Sequence, residues 1–297
     1  MPYHSLLSPS YEVVVAPPHP LLRPGVRFYR GLRINTDRPR KRLELPVGFA
    51  TLLLGFDQPL QVGSVDVDTG VDDLDPAAKR SYTSLFAGMR TKSAVGEHPG
   101  SLYGIEVVMH PWAAYALFGV PMHELAELLV EPSDLAGARI RRLTERLAEL
   151  PDWPQRFAAL DEAFLRWRAA GPGVAPRVLH AWDLLVGSSG TRPISGLADE
   201  LGWSERQLER RFREQLGLSP KSAARVLRIQ HALRLLIAGR PLAEIATRTG
   251  FYDQSHLNRE IRVSTGLTPG RLLSRTLHAT NEPTRLDGAV TTLMLVE

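Results

Sequence analysis

Residues 250–270 read GFYDQSHLNREIRVSTGLTPG, and residues 202–221 hold a looser copy, GWSERQLERRFREQLGLSPK. Set Ser204 opposite Asp253, the two residues able to cap a helix. Leu208 then falls on Leu257, Arg210 on Arg259, Phe212 on Ile261, Gly217 on Gly266 and Pro220 on Pro269, with no gap. A register kept unbroken from Ser204 to Pro220 marks one structural unit used twice.

The unit reads as a helix-turn-helix. In the first copy Ala198, Gly202 and Leu208 occupy the positions such a corner needs. Alanine lets two helices approach, glycine takes the left-handed turn, and the apolar residue fills the angle between them. Ser204 with Gln207 three residues on is a capping box that fixes where the second helix begins. Ala246, Gly250 and Asp253 repeat the pattern with a turn one residue longer.

At about 100° per residue, Leu208 and Phe212 fall on one side of the first reading helix. Arg206, Arg210 and Arg213 fall on the other, with Glu209 at the edge. In the second copy Leu257 and Ile261 face inward. Ser255 and Arg259 share the outer face, flanked by His256, Asn258 and Arg262, and Gln254 opens the helix. Arginine can bind guanine through O6 and N7, and Asn, Ser or His can read other base edges. The same side chains would suit a plain solvated face; the duplication favours double-stranded DNA. Between the copies, SPKSAARVLRIQHALRLLIAGRP predicts one long helix from Pro220 to Gly239. Its length, roughly 30 Å, approaches one turn of DNA at about 34 Å, so one chain carries two reading heads for successive major grooves.

Charge follows the same division. Residues 191–280 carry a net +7, residues 1–190 a net −1, and the whole chain +4. A basic module joined to a near-neutral partner is the electrostatic pattern of nucleic-acid binding. The chain has no cysteine, which excludes disulfides, thiolate metal sites and thiol nucleophiles. No apolar run has the length of a membrane span. The N-terminus MPYHSLLSPSYE lacks a basic segment followed by an apolar one, so the expected location is cytoplasmic.

Upstream, from about Tyr11 to His110, the chain reads as short strands: EVVV, VRFYRGL, KRLEL, FATLLLGF, LQVGSVDV, SYTSLFAGM and SLYGIEVVMH, separated by PP, PG, DQP and EHPG. Spaced strands without helical periodicity predict an antiparallel barrel or sandwich. From Pro111 the pattern turns helical through WAAYALFGV, MHELAELLV, DLAGARIRRLTERLAEL and Trp153–Ala170, before GPGVAP. The fold class is therefore α+β. Residues 1–172 form the β-rich domain with helices over about 111–170, residues 173–280 form an all-α domain, and 281–297 are a tail without assigned structure. GSSG at 187–190 reads as a flexible joint.

With these motifs in place, GFYDQSHLNREIRVSTGLTPG resembles the signature segment of the AraC/XylS family of bacterial transcription regulators. LADELGWSERQLERRFREQLGLSP resembles that family's first helix-turn-helix, and RVLRIQHALRLL its linker helix. The resemblance covers about the last third of the chain. It implies a seven-helix DNA-binding domain, base contacts from Arg206, Glu209, Arg210, Gln254, Ser255, His256 and Arg259, and RNA polymerase as a partner. It also implies a cupin-like front domain that binds a small-molecule effector or forms a homodimer. Leu257 and Ile261 stand where aromatics are usual, and Leu272-Leu273 where an aromatic–arginine pair is common.

Catalytic readings of the front half find little support. His4, His19, His98, His110, His123 and His180 are scattered, and His123-Glu124 lacks the second histidine of a zinc-protease helix. No cofactor or metal is called for, and the expectation is a binder rather than an enzyme. The alternatives are an enzyme with a fused DNA-binding domain, or a constitutive DNA binder with a purely structural barrel. Phe28, Tyr29, Phe49, Phe56, Tyr103 and Trp112 are candidates for a barrel lining, with Arg27, Arg30 or Arg33 to orient an anion. Ordinary core packing is the favoured reading of these aromatics.

Overall fold

The computed structural model describes residues 4–8, 11–65, 71, 79–278, 284–286 and 289–295. The β-branched and aromatic runs of the front half form strands β1 (His4–Ser8), β2 (Tyr11–Ala16), β3 (Val26–Asn35), β4 (Arg40–Glu44) and β5 (Ala50–Gly55). They continue as β6 (Leu60–Ser64), β7 (Arg80–Tyr82), β8 (Leu85–Ala87), β9 (Ala94–His98), β10 (Ser101–Met109) and β11 (Leu129–Val130). Two C-terminal strands, β12 (Thr284–Leu286) and β13 (Ala289–Leu295), complete the set. One sheet runs β1-β2-β3-β10-β5-β8-β11 and the other β12-β13-β4-β9-β6-β7. Both are antiparallel throughout the described pairings.

Several details depart from the sequence expectation. SYTSLFAGM is two strands, because the chain passes from one sheet (β7) to the other (β8) at Thr83-Ser84. Glu97-His98, read as part of the EHPG turn, end β9 (Ala94–His98), and the N-terminal HSLLS is β1. MHELAELLV is no helix beyond a single 3₁₀ turn at Met122–Glu124; Leu129-Val130 instead pair with Phe86-Ala87. A short apolar run has no length over which helical period can be told from strand. The end of LQVGSVDV, residues 66–67, lies outside the described residues. The tail does not stand apart: β13 pairs with β4, and the Thr292 hydroxyl donates to Glu44 at 2.7 Å.

Three helices cover the outer face of the β1–β11 sheet: α1 (Pro111–Phe118), α2 (Pro132–Glu149) and α3 (Trp153–Ala170). Proline opens α1 and α2, where its missing N–H costs nothing, and Asp152 caps α3 by accepting from the Gln155 N–H at 2.9 Å. Tyr29 is fully buried between the sheet and α3, stacked on Phe157 with centroids 5.8 Å apart. Its hydroxyl donates to Asp161 at 2.8 Å. Gly31, next on that face of β3, lies flat under the Trp153 ring, where a Cβ would overlap the indole.

From Pro176 onward the described chain is helical up to His278: α4 (Pro176–Gly187), α5 (Ile194–Glu200), α6 (Glu205–Leu216), α7 (Pro220–Ile237), α8 (Leu242–Arg248), α9 (Gln254–Thr265) and α10 (Pro269–His278). The architecture is α+β, antiparallel sheets followed by an all-α half. GSSG is a packed turn rather than a loose joint. Ser189 and Gly190 both take positive φ, the Gly190 carbonyl accepts from Arg228 at 3.1 Å, and Cβ atoms have no room at 190. No helix among the described residues is long and apolar enough to cross a membrane.

Two measurements follow. Gly31→Ala forces Trp153 off β3 and should cost about 1–3 kcal/mol in urea unfolding, the range of an overpacked core. His98 is buried on β9; burial, then the charges of Arg42 and Arg40, depress its pKa to about 4. The folded protein thus holds it neutral while the unfolded chain takes up a proton below pH about 6.5. Stability should be full above that pH and decline as pH falls toward 4, with a slope that His98→Gln reduces.

Candidate nucleic-acid interface

In the first unit, α5 and α6 meet through Leu197 and Ala198 on one side and Leu208 and Phe212 on the other, all buried. Gly202 makes the turn at φ +61°. Ser204 closes a capping box: its hydroxyl accepts from the Gln207 N–H at 3.2 Å, and Gln207 accepts back from the Ser204 N–H at 3.1 Å. In the second unit α8 and α9 meet through Ile245, Ala246, Leu257 and Ile261, again buried. Gly250 turns at φ +70°, and Asp253 accepts from the His256 N–H at 2.7 Å. Anchoring apolar side chains inward at this helical spacing turns the opposite face outward.

Arg206, Glu209, Arg210 and Arg213 are all exposed on α6, and Gln254, Ser255, Asn258, Arg259 and Arg262 on α9. The structure brings each set together on one helix face. Among the described residues, the side chains of Arg206, Arg210, Arg259 and Arg262 make no hydrogen bond or ion pair. Arg213 and Glu209 pair at 3.0 Å, one turn apart. Away from these faces, guanidinium groups are engaged internally, as in Arg211–Glu214, Arg225–Glu260, Arg248–Glu244 and Arg192–Glu200. His256 differs from its neighbours. It is half-buried, its Nδ1 accepts from the Tyr252 N–H at 3.4 Å, and its ring meets Phe251 edge-on at 5.3 Å. It shapes the turn as well as facing outward.

One exposed group was absent from the sequence reading. Tyr252 precedes the cap of α9 and is 92% exposed. Its counterpart in the repeat, Trp203, is half-buried against the first unit's core and lies under Arg177, 5.6 Å from the ring centroid. An aromatic before each cap was visible in the aligned copies, but only burial separates a packed ring from a free one.

The two faces are held by shared neighbours. Helix α7 contributes Ala223, Val226 and Leu227 to the first core and Ile229, Leu233 and Leu236 to the second. Arg225 on α7 binds Glu260 on α9 at 2.5 Å. The front domain grips both units at one equivalent corner. Gly217, ending α6 at φ +96°, sits where a Cβ would come within 3.0 Å of the Met122 carbonyl. Gly266, ending α9 at φ +72°, sits where a Cβ would overlap Val65. The Ser93 N–H donates to the Ser264 carbonyl at 2.8 Å. Both glycines serve a left-handed cap and a close approach together. In last-helix packing, Leu272 is fully buried and Leu273 partly so, in the second core.

The front half contributes a cavity rather than a reading face. Phe28, Phe49 and Arg30 line the space between the sheets, whereas Tyr29 turns to α3 and Arg33 lies exposed over the Tyr103 ring. Tyr103 also meets Phe56 and Trp153 edge-on. Alternation along β3 separates the two groups.

Residues 197–275 match a family model described as a helix-turn-helix domain. Among curated proteins, the uncharacterized HTH-type transcriptional regulator YbfI of Bacillus subtilis is 39% identical over 64 residues, 22% of this chain and 23% of that protein. The probable bifunctional transcriptional activator/DNA repair enzyme AlkA of Mycobacterium tuberculosis is 31% identical over 135 residues, 41% of this chain and 27% of that protein. This chain thus spans about a quarter of the length of these relatives. Among solved structures, ToxT from Vibrio cholerae aligns over 89% of this chain and 98% of that one, at 12% identity and a TM-score of 0.44.

Removing the first cap isolates its local role. Ser204→Ala should lower stability by about 1 kcal/mol in urea unfolding, since its side-chain bonds are confined to the capping box.

Proposed function

Through residues 197–275 the chain belongs to the AraC/XylS family of helix-turn-helix regulators, and from that premise we propose that it regulates transcription by reading double-stranded DNA with α6 and α9. The observation that carries the reading is the set of unpaired arginines, Arg206, Arg210, Arg259 and Arg262, exposed on the same face of two capped helices. A guanidinium left without an internal partner is available to a phosphate or to a guanine edge. Gln254, Ser255 and Asn258 add amide and hydroxyl groups able to discriminate other bases. Glu209, held by Arg213, fits cytosine N4 better than a phosphate.

In this reading α7 acts as the spacer: 18 residues at 1.5 Å each give about 27 Å. The front domain, packed against the C-terminal corner of both units, governs how the two reading helices sit relative to each other. That placement is what an effector or a homodimer contact would act on. RNA polymerase is the expected downstream partner, and the chain is read as a binder rather than a catalyst.

Arg210→Ala and Arg259→Ala should each weaken binding to a footprinted target site by about 1–3 kcal/mol and relax base preference at one position. Binding to random duplex of equal length should change far less. Equal losses on both duplexes would reduce the two arginines to phosphate contacts.

A further inference from the structure

Counted back from the caps, Trp203 opposes Tyr252, but backbone bonding matches the residues differently. The Trp203 N–H donates to the Ala198 carbonyl at 3.0 Å, and the Phe251 N–H donates to the Ala246 carbonyl at 3.0 Å. Trp203 and Phe251 each lay a ring against their own unit's core, which holds Leu208 in one case and Leu257 in the other. Such a contact staples the chain entering a helix to the first inward-facing turn. Phe251 takes this place in the second unit, so the extra residue of the longer turn is Tyr252.

The second core makes no use of the extra ring. Tyr252 is 92% exposed, against 62% for Leu21, the next most exposed large apolar side chain among the described residues. Its backbone is nevertheless held on both sides. Phe251 is buried before it, the Tyr252 N–H donates to His256 Nδ1 at 3.4 Å, and Asp253 caps α9 directly after it. A tyrosine on a fixed backbone has only two side-chain torsions left to order, so pressing it against a partner costs little entropy.

The place where the ring stands selects the partner. The N-terminal residues of a recognition helix meet base edges in the major groove, and Tyr252 directly precedes the cap of that turn in α9. The exposed residues of α6 and α9 themselves are all polar or charged. They suit the hydrogen-bonding groups of guanine, adenine and cytosine, whereas the C5-methyl of thymine calls for an apolar surface. Tyr252 supplies that surface at the leading end of α9.

We propose that Tyr252 is a specificity-determining residue that packs its ring on the C5-methyl of a thymine in the half-site read by α9. The assignment rests on the reading of α6 and α9 as DNA-reading helices, and it adds a base feature that their polar side chains do not recognise. The first unit, whose shorter turn holds only the packed Trp203, makes no methyl contact of this kind.

The full-length protein is tested by fluorescence anisotropy on its footprinted target site, with each thymine replaced in turn by deoxyuridine. That exchange removes the methyl group and leaves every hydrogen-bonding group of the base pair in place. One replacement should weaken wild-type binding about fourfold, the scale of one buried methyl group. Tyr252→Ala should weaken binding to the unmodified duplex by at least that factor and should no longer sense that replacement. Tyr252→Phe should keep both affinity and discrimination, because the ring rather than the hydroxyl makes the contact. Binding of Tyr252→Ala to random duplex should match the wild type, which separates a lost contact from a folding defect. The assignment is overturned if no replacement weakens the wild type, if Tyr252→Ala still senses it, or if Tyr252→Ala loses equally on random duplex. Tyr252→Phe behaving as Tyr252→Ala would also overturn it, moving the contact to the hydroxyl and a phosphate. Equal binding of target and random duplex by the wild type would instead strike the regulator reading on which the assignment rests.

Discussion

Helix α7 has to satisfy two cores at once, and the arrangement of the helical half follows from that requirement. Its first half carries Ala223, Val226 and Leu227 into one core, and its second half carries Ile229, Leu233 and Leu236 into the other. Close-packed interiors tolerate little displacement, so neither unit can rotate about α7 without opening apolar surface. The polar residues on α7 reinforce the same restraint. Arg225 ties α9 through Glu260, Arg228 holds the turn after α4 through the Gly190 carbonyl, and Gln230 receives the Gly48 N–H of the front domain.

The front domain is part of this system rather than an appendage. Leu43, Leu45, Val65, Val71 and Val95 complete the core of the second unit, and Met89 enters that of the first. A unit as small as α8–α10 buries little surface alone, so borrowing side chains from the sheets adds to its stability as well as fixing its orientation. Of the borrowed residues, Leu45 and Met89 lie in the segments 45–49 and 88–92, which also line the cavity between the sheets. Stability of the reading units and access to the cavity are thus set by the same segments.

The β-rich half shows where local patterning stops. Runs such as VRFYRGL and SLYGIEVVMH are strands because β-branched and aromatic residues favour a pleated, half-buried surface. Both faces of β3 are covered, one by α3 and one by the opposite sheet, so hydrophobicity alone could not say which aromatics line the cavity. Phe28, Arg30 and Leu32 face inward, while Tyr29 and Gly31 face the helices. Only the pairing of β3 with its neighbours assigns each alternate set to its side. The same holds for MHELAELLV, whose apolar residues serve a 3₁₀ turn and a two-residue strand set by the partner β8.

The sequence by itself determined the two reading helices, because caps, left-handed glycines and helical period act over a few neighbouring residues. Ser204 with Gln207, Asp253, Gly202 and Gly250 specify their turns wherever the rest of the chain lies. Tertiary structure alone decided that Tyr252 stands free while Trp203 packs, and that Gly217 and Gly266 meet the front domain. Each of these depends on which distant segment arrives at the residue, and a chain read in order does not specify that.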